Sequence, residues 1–206
     1  SLLEHYGVNR NKCHQIPVLF DPATVSKNEN VIEDYFVMSG QCITAKGWHI
    51  VKLIIEKTPQ VKYKLVIFNT SIANEYVDKY GLHDNIELGQ IEVVSEVKDH
   101  VDFVSIISKS KGVLVPSYYP TTGEFVLLES LGMGKAIIAF NSGVHHEILQ
   151  HKKNAMVSNI GDLNDFASNI IEVSNNKVLR SSLSKGAQLL YKELTSTDKL
   201  RKNIPF

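Results

Sequence analysis

Three short runs constrain this chain more than anything else in it: YKLVIF within Tyr63–Asn69, GVLVP over Gly112–Pro116 and AIIAF over Ala136–Phe140. They are apolar at successive positions, so neither face of such a strand can meet water. A parallel sheet covered by helices on both sides accommodates that pattern. Further strand candidates are Tyr35–Ser39, Ile86–Leu88 and Ala155–Val157, about six in all. Between them lie helix-period stretches: Gly47–Lys57, Ile72–Tyr80, His100–Lys109, Glu124–Met133, His145–Gln150, Leu163–Ser174 and Lys177–Leu194. In the first, Ile50, Leu53, Ile54 and Lys57 keep the i, i+3, i+4, i+7 rhythm, which predicts an inward apolar side. Asp162 and Asn176 are suited to cap the last two helices. Strands alternating with helices through right-handed crossovers predict an α/β fold, a Rossmann-like doubly wound parallel sheet.

A chain of 206 residues suffices for one well-cored domain, and 43% hydrophobic with 21% charged residues is ordinary globular composition. Its 22 basic residues balance 22 acidic ones, which gives no push toward nucleic acid or an anionic membrane. No apolar run approaches the roughly 20 residues needed to span a bilayer. Cys13 and Cys42 are far apart and outside any C-x-x-C spacing, so they read as reduced thiols. Residues Ser1 to Lys27 do not follow the strand–helix rhythm. They read as the end of a helix (Leu2–Tyr6) and an extended linker around Ile16–Asp21, the tail of a preceding domain in a longer protein.

Ligands of open parallel sheets sit outside the carboxyl ends of the strands, so the loops there carry the chemistry. The loop after the first strand runs Ser39-Gly40-Gln41-Cys42-Ile43-Thr44-Ala45-Lys46-Gly47. Lys46 arrives where the next helix begins, and free amides with a lysine charge suit a phosphate. A second loop, Pro116 to Phe125, is rich in Thr and Gly and opens into VLLESLGMGK. Its backbone can form an amide nest. Glu129 lies about one and a half turns into that helix, beside Val126, Leu127 and Leu131. There it is either a solvated surface group or an acceptor for two ligand hydroxyls. A third segment, Phe140 to Ile148, brings His145 and His146 next to Glu147. Adjacent helical positions face different ways and no third ligand has matching spacing, so a metal site is not expected.

Taken in order, these segments resemble the C-terminal, donor-binding domain of GT-B-fold glycosyltransferases of the large retaining group, family 4. SGQCITAKGWHIVKLI resembles the family's strand–Gly-Arg–loop–Lys-Gly–helix segment, and PSYYPTTGEFVLLESLGMGKAIIAFNSGVHHEIL its Pro-Ser…Glu-Gly-Phe-Gly…Glu-Ala-Met-Ala run. Asn85–Gln90 is similar to its short strand and Gly-rich loop, HKKNAMVSNIGDLNDFASNIIEV to its closing segment, and IPVLFD to its interdomain linker, with Asp21 in register.

The resemblance implies one half of a GT-B fold: residues 1–27 would be linker and residues 28–206 the nucleotide-sugar-binding domain. Its donor would be a nucleoside diphosphate sugar, with no cofactor and no metal. Lys46 would contact the diphosphate, and Glu129 would bind the ribose hydroxyls. Gly89 and Ile91 would hold the base through backbone groups. The amides of Gly123, Glu124, Phe125 and Val126 would face the phosphates and sugar, with Gly40, Thr121 and Thr122 around them. Where the family has its diphosphate-binding arginine this chain has Gln41, and where it has the first glutamate of its Glu-seven residues-Glu motif this chain has Thr121. Glu124 would replace that carboxylate from a shifted position, which makes Lys46 and Glu124 the catalytic candidates. The implied protein is a retaining hexosyltransferase of glycan or glycolipid synthesis. It would be cytoplasmic, with peripheral membrane contact through a missing N-terminal acceptor-binding domain, and no nucleic-acid partner. The fragment alone would bind donor and transfer nothing. A competing reading is a degenerate GT-B partner or scaffold subunit, suggested by Gln41 and Thr121. A nicotinamide dehydrogenase fits poorly, because no G-x-G-x-x-G follows the first strand.

Overall fold

The computed structural model describes residues 32–120 and 124–196. Among them, six strands form one sheet: β1 (Phe36–Ser39), β2 (Tyr63–Val66), β3 (Ile91–Val94), β4 (Gly112–Val115), β5 (Ala136–Phe140) and β6 (Met156–Ser158). All pairings are parallel and the order is β3-β2-β1-β4-β5-β6. The helices are α1 (Val51–Lys57), α2 (Thr70–Tyr80), α3 (His83–Glu87), α4 (His100–Lys109), α5 (Phe125–Gly132), α6 (Val144–Ile148), α7 (Leu163–Asn175) and α8 (Lys177–Leu194). This is the doubly wound α/β arrangement that the both-face apolar strands require.

Alternation along each strand divides the core between the two faces of the sheet. Phe36, Met38, Leu65, Leu114, Ile138 and Phe140 pack with Ile54 and Ile55 of α1, Ala73 and Tyr76 of α2, and Phe166 and Ile170 of α7. Val37, Val66, Val113, Val115, Ile137 and Ala139 pack with Phe103 and Ile107 of α4, Leu127 and Leu131 of α5, and Ala187 and Tyr191 of α8. The side chains of Asp162 and Asn176 accept the amides of Asp165 and Leu179 and so cap α7 and α8, as the sequence predicts. Among the described residues no helix is long and apolar enough to cross a membrane. Cys42 is a free thiol packed against the core, and burial pushes it up to about 11, so it is protonated at neutral pH. Cys13, the helix expected at Leu2–Tyr6 and the linker expected at Ile16–Asp21 lie outside the described residues.

Two expectations are corrected. The third strand is Ile91–Val94 and not Ile86–Leu88, which belongs mostly to the short helix α3. Gly89 ends that turn in the left-handed region at φ 67°, its amide donating to the Ile86 carbonyl. The β-branched run IEVV that follows is the better strand. The segment expected as one helix from Gly47 starts instead as two 3-10 turns, Thr44–Lys46 and Trp48–Ile50, before α1. The Trp48 carbonyl accepts the Tyr76 hydroxyl at 2.6 Å, and the two rings meet edge to face. That contact ties the second turn to α2, and in α1 Leu53 is exposed while Ile54 and Ile55 are buried.

Truncating the buried side chain should therefore cost far more than truncating its neighbour. Ile54→Ala is expected to lose about 2–5 kcal/mol, and Leu53→Ala less than about 1 kcal/mol. Urea unfolding of the two variants measures the difference.

Candidate active site

In the strand order, β1 and β4 are neighbours whose connections leave in opposite directions, which creates a crevice at their carboxyl ends. Two loops meet over it. The amides of Tyr118 and Tyr119, after β4, both donate to the Ala45 carbonyl, after β1, at 2.9 and 3.3 Å. Gly47 adopts φ 79°, and a β-carbon there would lie 2.2 Å from the Pro116 carbonyl oxygen. Only glycine fits between the turn and that backbone. The Tyr118 ring is wedged between His49 and Phe140, at 5.0 and 5.2 Å between centroids. Through these contacts the β1 loop carries Lys46 to the start of α5.

A cavity of about 550 Å³ opens at this point. Its wall combines Ser39, Gly40 and Lys46 after β1, Phe68 after β2, and Val97, Asp99, His100 and Phe103 from the approach to α4 and the helix itself. Glu124, Phe125, Val126 and Glu129 complete it from α5 and its cap. Of the residues singled out in the sequence, the fold thus gathers Gly40, Lys46, Glu124, Phe125, Val126 and Glu129 around one space. Gln41 is exposed and outside the lining. Thr121, Thr122 and Gly123 lie outside the described residues. Gly89 and Ile91 are also outside the lining: Gly89 precedes β3 and Ile91 is its first residue, paired with Tyr63, the first residue of β2. The neighbouring Gln90 side chain donates to the carbonyls of Ile55 and Thr58.

Glu129 is not a solvated surface group, since it is only 6% exposed. Its Oε1 lies 2.7 Å from His100 Nε2, while Oε2 is buried with no hydrogen-bond partner among the described residues. Burial pushes the carboxyl above the ordinary 4.5, with the hydrogen bond and charge of His100 pulling it back. A buried carboxylate oxygen without a donor, lining a cavity, is an open acceptor for a ligand hydroxyl. Phe103 and Phe68 stand next to His100 as an aromatic wall, with 5.3 Å between their ring centroids. Lys46 is half-buried and paired: its Nζ lies 3.3 Å from Glu124 Oε2. Glu124 is held in turn by the Ser117 hydroxyl, which donates to Oε1 at 2.5 Å. His145 approaches the same oxygen with Nε2 at 3.6 Å. It is wholly buried, and burial lowers its basicity, against raising contributions from Glu124 and the Phe140 carbonyl and a lowering one from Lys46.

The sequence reading missed Phe68, Val97, Asp99, His100, Phe103 and this role of His145. The signal for most of them was the IEVV run. Taken as the strand, it makes SEVKDH the loop that reaches the crevice, with Asp99 capping α4 through the Asp102 amide. His145 gave no such signal, because its partner Glu124 is distant in sequence.

Two variants probe this geometry. Gly47→Ala forces both the positive φ and the contact with Pro116, and is expected to cost at least about 2 kcal/mol. Calorimetry should then read a Tm lower by roughly 4–8 °C. Glu129→Gln keeps an acceptor for His100 and removes the buried charge. Because the carboxyl of Glu129 is raised on folding, the native state holds the extra proton above 4.5, and stability is lost as pH rises through the raised value. The variant should therefore melt at a higher temperature than the parent at pH 8. The difference should close as the pH is lowered toward the ordinary 4.5 of a free carboxyl. Thermal melts at both ends of that range measure it.

Comparison with known proteins shows what the chain and its fold are similar to. A family model described as glycosyl transferases group 1 matches residues 22–189. Comparison with curated proteins finds no significant match. Among solved structures, the chain is similar to sucrose-phosphate synthase of Thermosynechococcus elongatus, with TM-score 0.78, 18% identity, and coverage of 96% of this chain and 52% of that one. It is also similar to HepE of Anabaena, solved with UDP and glucose, at TM-score 0.78 and 16% identity over 97% of this chain and 57% of that one. A glycosyltransferase of Rickettsia africae matches with TM-score 0.77 and 19% identity over 98% of this chain and 58% of that one. The chain spans just over half the length of these structures, and at such identity the likeness is one of fold.

Proposed function

We propose, given that this chain belongs to the glycosyl transferases group 1 family, that its cavity holds a nucleoside diphosphate sugar and that the chain is the donor half of a glycosyltransferase. The observation that carries the reading is the unpartnered, buried Oε2 of Glu129 on one side of a cavity whose other side holds Lys46. A ribose offers the two hydroxyls that such a carboxylate accepts. A diphosphate suits Lys46 together with the amides at the start of α5, where the helix dipole favours negative charge. The aromatic wall of Phe68 and Phe103 beside Glu129 supports a base on the ribose side. HepE, of similar fold, was solved with UDP, which makes UDP the first nucleotide to try.

On this reading Lys46 and the α5 amides stabilise the leaving diphosphate as the bond to the sugar breaks, and positioning supplies much of the remaining acceleration. Those groups act without a metal or cofactor. The acceptor, a glycan or glycolipid, would bind a separate acceptor domain, and transfer with retention would occur between the two. The 206-residue chain then binds donor without transferring sugar. A degenerate, non-catalytic partner is the second reading. Gln41 favours it, because it stands where the family has an arginine and does not line the cavity.

Thermal shift with UDP, GDP and ADP tests the binding. Ligand at about 100 times its Kd adds roughly 2.7 kcal/mol, which for a chain of this size is about 5–10 °C. Lys46→Ala should reduce the shift, and Glu129→Ala should erase the preference for ribose over deoxyribose nucleotides. No shift with any of the three at millimolar concentration would refute the reading. Sugar transfer by the full-length protein separates an enzyme from a non-catalytic partner.

A further inference from the structure

Phosphate binding alone leaves one feature beneath the cavity unexplained: the Lys46 that should meet an anion is already paired with Glu124, and a buried histidine waits on the far side of that carboxylate. His145 Nδ1 lies 3.0 Å from the Phe140 carbonyl. A carbonyl can only accept, so Nδ1 carries a proton and donates it. The titrating nitrogen is therefore Nε2, which has no hydrogen-bond partner among the described residues. Glu124 Oε1 lies 3.6 Å from it. With Nε2 bare, a lone pair faces a carboxylate oxygen. With Nε2 protonated, the same geometry becomes an ion pair. Burial keeps the proton off, and the ammonium of Lys46 opposes it further while it neutralises Glu124 from the other oxygen.

We propose that His145 is a positioning residue for Lys46, acting through Glu124, and that a diphosphate entering the cavity exchanges the partners of that carboxylate. Lys46 Nζ moves to the phosphate oxygens, and a proton from solvent enters on His145 Nε2 to take its place beside Glu124. The inference rests on the donor-site reading above. The balance is one proton: solvent loses it and the imidazole becomes imidazolium. The new Nε2–H donates to Glu124, and Nδ1–H stays on the Phe140 carbonyl. The groups that face His145 are Glu124 from the cap of α5, Lys46 from the turn after β1, and the uncharged Phe140 carbonyl from β5. On its own helix, His146 and Glu147 are exposed. Moving Lys46 away removes a repulsion and leaves Glu124 in need of a cation, and both changes raise the affinity of Nε2 for a proton. The occupied state then binds more protons than the empty one, so binding tightens as pH falls through the interval between the two His145 values.

Isothermal titration calorimetry of the 206-residue chain with UDP-, GDP- and ADP-glucose decides this. A sugar nucleotide is the probe because the terminal phosphate of a free diphosphate itself titrates near about pH 6. Titration in two buffers of different ionisation enthalpy counts the protons. The expected result is an uptake of roughly half a proton per molecule bound at mildly acidic pH, with affinity rising as pH falls. His145→Asn can still donate to the Phe140 carbonyl but has nothing to titrate, so both the uptake and the pH dependence should disappear. Binding by the parent without proton uptake overturns the proposal and leaves the donor site standing, and that count decides even if the variant does not fold. Uptake that persists in His145→Asn overturns it as well. Failure of all three sugar nucleotides to bind overturns both readings.

Discussion

Gly47 sits where a single added carbon would collide with the carbonyl of Pro116, and the carbonyl of Ala45 takes two amides from the loop after β4. This backbone-to-backbone closure joins the two loops that leave the sheet on opposite sides of the switch point. Without it, Lys46 would be a mobile lysine on a surface turn. With it, the ammonium is fixed within 3.3 Å of Glu124, and Ser117 and His145 are drawn into the same buried group. The cavity wall that Lys46 forms and its pairing with Glu124 depend on that approach.

The charges around the cavity are arranged for exchange rather than for stability. Glu129 is buried with one oxygen unpartnered, which lowers stability until a ligand supplies a donor. Lys46 has a partner, so an incoming anion must displace a carboxylate instead of filling an empty site. Each arrangement is tolerated because the core on both faces of the sheet is apolar and dense. The inner strands β4 and β5 are buried along their whole length and hold the loops in place.

The fold was legible because burial on both faces leaves a mark on every residue of a strand. GVLV and AIIAF could hardly be read otherwise, and Asp162 and Asn176 marked their helix starts by cap chemistry alone. Lys46 and Glu129 were legible as a motif. His100 and His145 were not, because each matters through a partner, Glu129 or Glu124, brought near only by the packing of α4 and α6 against the sheet. The misplaced third strand had a local cause: Ile86, Glu87 and Leu88 look like a strand until Gly89 is recognised as the end of a helical turn. That error drew attention to Gly89 and Ile91, outside the cavity lining, and hid the loop that bears Val97 and His100.

A crystal structure of the chain with UDP bound tests the central claim most directly. It should place the diphosphate within hydrogen-bonding distance of Lys46 Nζ, with the contact to Glu124 lengthened or broken. A ribose hydroxyl should lie on Glu129 Oε2 and the base against Phe68 and Phe103. Nucleotide bound elsewhere, or bound in the cavity with its ribose away from Glu129, would contradict the account.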